Sequence, residues 1–184
     1  TLRDGTTLEA EHVILAVPFE RVLGLLPPGV AADPFFARIG KLEPSPITRV
    51  HLWFDRPVMK RPHLVVVDGL SQWLFARDSG YVQVVVSATR SLKGMGHANI
   101  LAEILNELQR LLPDVRNATL LRSKVVTEHT ATFSAVPGVD ELRPTQRTPV
   151  PGLFLAGDWT ATGWPATMEG AVRSGTLAAE AILA

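Results

Sequence analysis

From Gly152 to Gly175 the residues follow an order that leaves few local conformations open. Leu153 to Ala156 is a continuous apolar run, too short for a helix and suited to a buried strand, and Gly157 follows where the backbone must turn sharply or admit a close neighbour. Pro165 favours a helix start, and Met168, Ala171, Val172, Gly175, Ala178, Ala179 and Ile182 repeat at helical spacing after Thr167. The segment therefore predicts a strand, an acid-bearing turn at Asp158, and a helix whose first turn faces back toward that turn. Gly170 and Gly175 would each cost an isolated helix about 1 kcal/mol relative to alanine, so a close contact, backbone or ligand, is expected on their face. A helix start also presents unpaired N–H groups and the positive end of a dipole.

The remainder of the chain predicts an α/β protein with an α+β middle part. Asp4-Gly5 signals a hairpin turn, Glu11 to Val17 a strand that Pro18 ends, and Phe19 to Leu26 a short helix closed by Pro27-Pro28-Gly29. A second short helical piece is expected across Pro34 to Leu42. The runs 47–54, 63–67, 71–75 and 81–87 are β-branched and aromatic, separated by tight-turn residues, and describe an antiparallel sheet. Val50, Leu52 and Phe54 alternate with Arg49, His51 and Trp53, giving one apolar and one amphipathic face.

Residues 98–112 carry an apolar stripe of Ile100, Leu101, Ile104, Leu105, Leu108, Leu111 and Leu112, with Glu103, Glu107 and Arg110 expected outside it. This helix is expected to cover one face of the sheet, leaving the other to line a pocket or meet a neighbouring domain. Another strand is expected from Leu120 to Glu128, then an irregular segment rich in threonine and proline from His129 to Pro151. The organisation expected is discontinuous: residues 1–28 and 150–184 in one domain, 45–135 in a second, and 136–149 as a return loop.

Lys and Arg together number 18, as do Asp and Glu, so no charge excess points to nucleic acid or acidic surfaces. With no cysteine, disulfides, thiol catalysis and thiolate metal sites are all excluded, and the redox compartment leans to the cytoplasm. His12, His51, His63, His97 and His129 lack metal-ligand spacing, so no metal is expected, and no G-x-S-x-G elbow supports hydrolase chemistry. No apolar run reaches bilayer length and no signal peptide opens the sequence, so a soluble protein is expected.

Read whole, Leu153 to Ala179 resembles the C-terminal flavin-binding signature of the FAD-dependent amine oxidase and phytoene desaturase superfamily, L-A-G-D-x-T followed by M-E-G-A-V-x-S-G. Ala131-Thr132-Phe133, Pro137-Gly138 and Arg143 to Pro149 resemble the lead-in of the desaturase branch, and Trp159 to Ser174 is most similar to squalene-associated desaturases, the hydroxysqualene dehydroxylases of hopanoid synthesis.

The resemblance implies FAD as cofactor, with Gly157 and Asp158 at the pyrophosphate and ribityl chain, and Trp159 beside the flavin turn, where it either seals the core or faces the ring. It further implies Ala166, Thr167 and Met168, with Ala171 on the same helix, near the flavin pyrimidine ring, and Ala16, Val17 and Pro18 close to the cofactor. Glu169 and Arg173 read as helix-surface residues. The 184 residues contain no G-x-G-x-x-G after a strand, so the resemblance implies the C-terminal portion of a two-domain flavoprotein whose N-terminal half completes the FAD site. It implies a long isoprenoid substrate, hydride transfer at flavin N5, and peripheral membrane contact to collect a lipid.

No catalytic proton donor or acceptor can be named. An amine oxidase is the alternative, weakened because Thr167 stands where amine cages commonly place tyrosine. A third reading is an inactive, self-associating module with its 168–182 helix face exposed.

Overall fold

The computed structural model describes residues 2, 4–77 and 79–184. The chain divides into two compact units, Thr1–Glu43 with Thr132–Ala184, and Pro44–Ala131.

In the first unit, strand β1 (Val13–Leu15) pairs in parallel with β7 (Leu153–Leu155), setting Val13 against Leu153, Ile14 against Phe154 and Leu15 against Leu155. Between them in sequence come α1 (Phe19–Leu25), α2 (Pro28–Ala31), α3 (Pro34–Ala37) and a 3-10 turn, Arg38–Lys41. Pro18 precedes α1, and Asp33 caps α3 by accepting the Phe35 amide at 2.8 Å, as the fixed φ of proline and the short acid favour at helix starts. Phe19, Val22, Phe36, Ile39, Leu155 and Trp159 close the core of this unit.

Helix α6 (Met168–Leu183) buries Gly170, Ser174 and Ala178 at four-residue intervals, a narrow stripe of small residues. A Cβ at Gly170 would lie 2.6 Å from the Pro165 carbonyl oxygen, so the predicted close contact there is the chain's own backbone. Gly175, by contrast, faces open space.

The second unit is a five-stranded sheet in the order β3-β4-β5-β2-β6, antiparallel from β3 through β4 and β5 to β2 and formed by β2 (Pro44–Phe54), β3 (His63–Val65), β4 (Trp73–Arg77), β5 (Tyr81–Ser87) and β6 (Leu120–Phe133). The last two residues of β6 belong to the first unit. Helix α4 (His97–Leu111) lays Ile100, Ile104 and Leu108 against Val50, Leu52, Leu74, Val82 and Val84. Burying each aliphatic side chain contributes roughly 1.5–3 kcal/mol, so this layer supplies most of the unit's cohesion. Pro113 stops α4 and opens α5 (Pro113–Arg116).

Three expectations change. β6 runs through the segment expected to be irregular from His129, because Thr130 and Thr132 are β-branched and the first proline comes only at Pro137. The turn at Asp4-Gly5 closes through Gly5 N to Leu2 O at 3.0 Å, yet no strand flanks it among the described residues. Glu107, expected outside the stripe, is buried: its carboxylate accepts the amides of Leu70 at 2.9 Å and Ser71 at 2.6 Å. Burial works against that charge, but the donors from Ser71 and Leu70 and the nearby Arg110 outweigh it and hold the carboxyl below its ordinary value.

Candidate functional site

Every residue of the predicted cofactor set lies in the first unit. β7 ends at Leu155, and Gly157 follows with φ +155. A Cβ there would lie 2.1 Å from Trp159 Nε1, and the Gly157 amide donates to Ser174 Oγ at 2.7 Å, so glycine is demanded by the fold's own packing. Trp159 is almost wholly buried and its Nε1 donates to Val17 O at 3.0 Å. Its ring packs in the core of this unit, and the same bond brings Val17 and Pro18 to the start of the loop.

The Asp158 carboxylate is half-buried and accepts the Thr132 hydroxyl at 3.2 Å. Burial pushes its pKa above the ordinary range, partly offset by Thr132, by the amides of Asp158 and Trp159, and by the charge of Arg143.

The loop from Asp158 to Trp164 has no regular structure, so its carbonyls need other partners. Arg143 provides them. Its side chain is buried, and Nε and Nη2 donate to Thr160 O at 3.0 and 2.7 Å, while Nη2 also donates to Trp164 O at 2.9 Å. Nη1 pairs with the exposed Asp140 at 2.8 Å. Gln146 adds a bond to Thr160 Oγ1 at 2.9 Å, and that hydroxyl donates to Gly157 O at 2.8 Å. Sequence reading placed Arg143 in the lead-in and assigned it no role; a lone arginine among prolines and threonines carries no signal of burial.

Beyond the loop, Thr167 caps α6, its Oγ1 accepting the Gly170 amide at 3.1 Å, while Ala171 N bonds to Thr167 O at 3.0 Å. The Met168 and Glu169 amides have no acceptor among the described residues. They sit at the positive end of a helix of 16 residues. Ala171 is exposed, and Met168 is 89% exposed. Glu169 and Arg173 form an exposed ion pair at 2.8 Å, with the Arg173 guanidinium 4.0 Å from the Trp164 ring centre. A largely apolar cleft of about 830 Å³ reaches Trp164, Pro165 and Ala166 from Phe133, Val136 and Arg143. It includes Ala166 and no other residue of the predicted set.

The second unit carries a separate aromatic surface. His51, Trp53 and Tyr81 stack on the sheet face away from α4, His51 Nδ1 lies 2.6 Å from Tyr81 OH, and Arg122 rests 4.7 Å over Trp53. Burial, then the charges of Arg49 and Lys124, hold His51 below its ordinary pKa. Trp73 and Phe75 stack beside them, both about two fifths exposed, and a recess of about 620 Å³ runs between Trp53, Phe75, Tyr81 and Gln83. Among the described residues no cluster of His, Asp and Glu could hold a metal ion, and no helix is long and apolar enough to cross a membrane.

A parallel strand pair leading through a pinned loop into an open helix start, and a separate sheet-and-helix unit, make this a mixed α/β chain. Residues 1–183 match the family described as flavin containing amine oxidoreductase, and the chain belongs to that family. It is 31% identical to the 15-cis-phytoene desaturase of Synechococcus elongatus over 96% of this chain and 40% of that protein. It is 38% identical to the hydroxysqualene dehydroxylase of Sinorhizobium fredii over 94% of this chain and 39% of that protein. The chain thus spans about two fifths of the length of these relatives. Its fold matches that of reduced UDP-galactopyranose mutase with a TM-score of 0.70 at 14% identity, covering 100% of this chain and 44% of the other.

Proposed function

We propose that the first unit is the C-terminal part of an FAD-binding domain and the second a substrate domain, in an oxidoreductase acting on a long isoprenoid. The observation that carries the reading is the open start of α6. Met168 and Glu169 offer two amides without acceptors among the described residues, beside the apolar cleft at Ala166, in a chain of a flavin-containing family. Such a pair suits an electron-rich ring edge, since aligned N–H groups stabilise negative charge without reorganising. Bound there, FAD would supply hydride transfer to or from a substrate carbon.

In this reading the chain's own residues position rather than react. Thr167 fixes the helix start, Arg143 holds the loop that begins at Asp158, and Gly157 and Asp158 meet the cofactor's polar chain. Trp159 acts behind them, as core. The aromatic face of the second unit favours an extended unsaturated hydrocarbon over a charged amine, because Trp53, Trp73, Phe75 and Tyr81 offer flat apolar surface and Arg77 and Arg122, the charged groups beside them among the described residues, are cationic. The relatives named for phytoene desaturation and hydroxysqualene dehydroxylation support the same substrate class.

The test titrates FAD into the chain with and without a polypeptide carrying the G-x-G-x-x-G half of the relatives. Flavin fluorescence should change strongly with both partners and little with the chain alone; no change in either arm sinks the cofactor reading. The loaded protein is then offered hydroxysqualene with reduced flavin, and phytoene with oxidised flavin. Conversion of neither, with peroxide released from polyamines instead, would replace the isoprenoid reading by the amine oxidase one.

A further inference from the structure

On the α4 side of the second unit, remote from the aromatic face of the same sheet, lies a cavity of about 440 Å³. Volumes of this order hold small ligands. Leu92, Met95 and Ile100 form its apolar wall, while Arg90, Lys93, His97 and His129 stand on its lining and are exposed. Among the described residues no carboxylate lines it, and Arg90 Nη2 donates to Pro44 O at 3.1 Å.

Deeper in, three hydroxyls form a chain. Thr48 Oγ1 donates to Thr89 Oγ1 at 3.0 Å and lies 2.9 Å from Thr127 Oγ1. A hydroxyl has one proton. Thr48 spends its proton on Thr89, so Thr127 donates to Thr48, and the Thr89 proton is left over. Thr89 is 4% exposed, and its hydroxyl has no acceptor among the described residues. A buried donor of this kind costs free energy until an acceptor meets it.

We infer that this cavity binds an anionic glycerophospholipid, with the phosphate at the cationic mouth, an ester carbonyl on the Thr89 hydroxyl, and the first chain carbons against Leu92, Met95 and Ile100. Three properties select that class together: net positive charge at the rim, an unspent donor below it, and an apolar wall alongside. Free phosphate would use only the first, and a neutral hydrocarbon only the third. The site lies outside the flavin reading and does not depend on it.

The experiment measures flotation of the protein with phosphatidylcholine vesicles and with vesicles in which a third of the lipid is phosphatidylglycerol, beside titration with soluble dihexanoyl phosphatidylglycerol. Binding is expected for phosphatidylglycerol in both forms, and inorganic phosphate at equal concentration should not displace it. Thr89→Val should weaken binding of the soluble lipid roughly fivefold or more, since one buried hydrogen bond is lost, whereas Thr89→Ser keeps the donor and should bind as the parent does. Lys93→Glu should weaken vesicle binding by roughly tenfold. Far-UV circular dichroism checks that each variant is folded. Equal binding by folded Thr89→Val and parent, displacement by phosphate, or no binding of the soluble lipid would each overturn the assignment; should Thr89→Val not fold, Met95→Trp, which fills the cavity, replaces it and must lose binding.

Discussion

Arg143 in the first unit and Glu107 in the second are buried ions of opposite sign that solve one problem, an irregular segment whose main chain has no ladder to join. Arg143 offers donors to the carbonyls of Thr160 and Trp164; Glu107 offers acceptors to the amides of Leu70 and Ser71. They differ in what surrounds them. Glu107 closes a short turn against a continuous aliphatic layer, so its loss should loosen one corner of a core that coheres otherwise. Arg143 holds a loop of seven residues, from Asp158 to Trp164, that lies beside a wide cleft and whose remaining main-chain bonds, such as Ala161 N to Pro144 O at 2.8 Å, are single and scattered. A buried charge therefore matters most where hydrophobic packing is thinnest.

The largest effect expected from breaking this contrast is at Arg143. Arg143→Met should cost about 3 kcal/mol or more, because several carbonyls lose charge-assisted partners together. Urea unfolding followed by tryptophan fluorescence reads it through Trp159 and Trp164. Arg143→Lys should recover less than half, since a single ammonium cannot fork between Thr160 and Trp164; full recovery would mean that charge alone matters there.

Glu107→Ala should cost less, about 2 kcal/mol, and Glu107→Gln less again. The folded carboxyl lies below its ordinary value of 4.5, so its stabilisation is present above that value and is lost as pH falls through the lower folded one. The gap in melting temperature between parent and Gln variant should accordingly close in acid, and a gap independent of pH would remove the ionic account.

Asp158 sharpens the comparison by reversing the sign. Its folded pKa is raised by burial above 3.8, so its favourable contribution is complete below 3.8 and lost as pH rises through the folded value. At neutral pH Asp158→Asn should melt higher than the parent, on the order of 2 °C, with the difference vanishing below the unfolded pKa. A lower melting temperature at pH 7 would show that the charge is held by donors rather than strained by burial. The smallest effect is expected for the exposed pair of Glu169 and Arg173, where alanine at either position should change stability by less than about 0.5 kcal/mol in denaturant titration.

Much of the fold was legible before any tertiary contact was known. Residues 98–112 and the run from Met168 to Ile182 declare themselves as helices by apolar spacing, and Leu153 to Gly157 as a strand and its end, because each signal is confined to a few turns or residues; the helices formed are His97–Leu111 and Met168–Leu183. Glu107 was misread because it stands at a helix position that periodicity assigns to solvent, while its partners lie 37 and 36 residues away. The two helix glycines illustrate the same limit. They look alike in sequence, yet one is pressed on the Pro165 carbonyl and the other on nothing. In the candidate site, Thr167 was legible as a helix-start residue; the burial of Trp159 and the whole role of Arg143 were not.

What the amino-acid order determined alone was the succession of most elements and the apolar faces of α4 and the sheet, which follow from short-range spacing and residue type, while the closing motif spoke of a flavin only through its resemblance to a family. The tertiary structure decided which polar groups are buried and what satisfies them: Arg143 against loop carbonyls, Glu107 against distant amides, and the hydroxyl chain ending at Thr89. The physical reason is that hydrophobic patterning is written along the chain, whereas the pairing of a buried charge or hydroxyl depends on donors and acceptors that only folding brings within 3 Å or so.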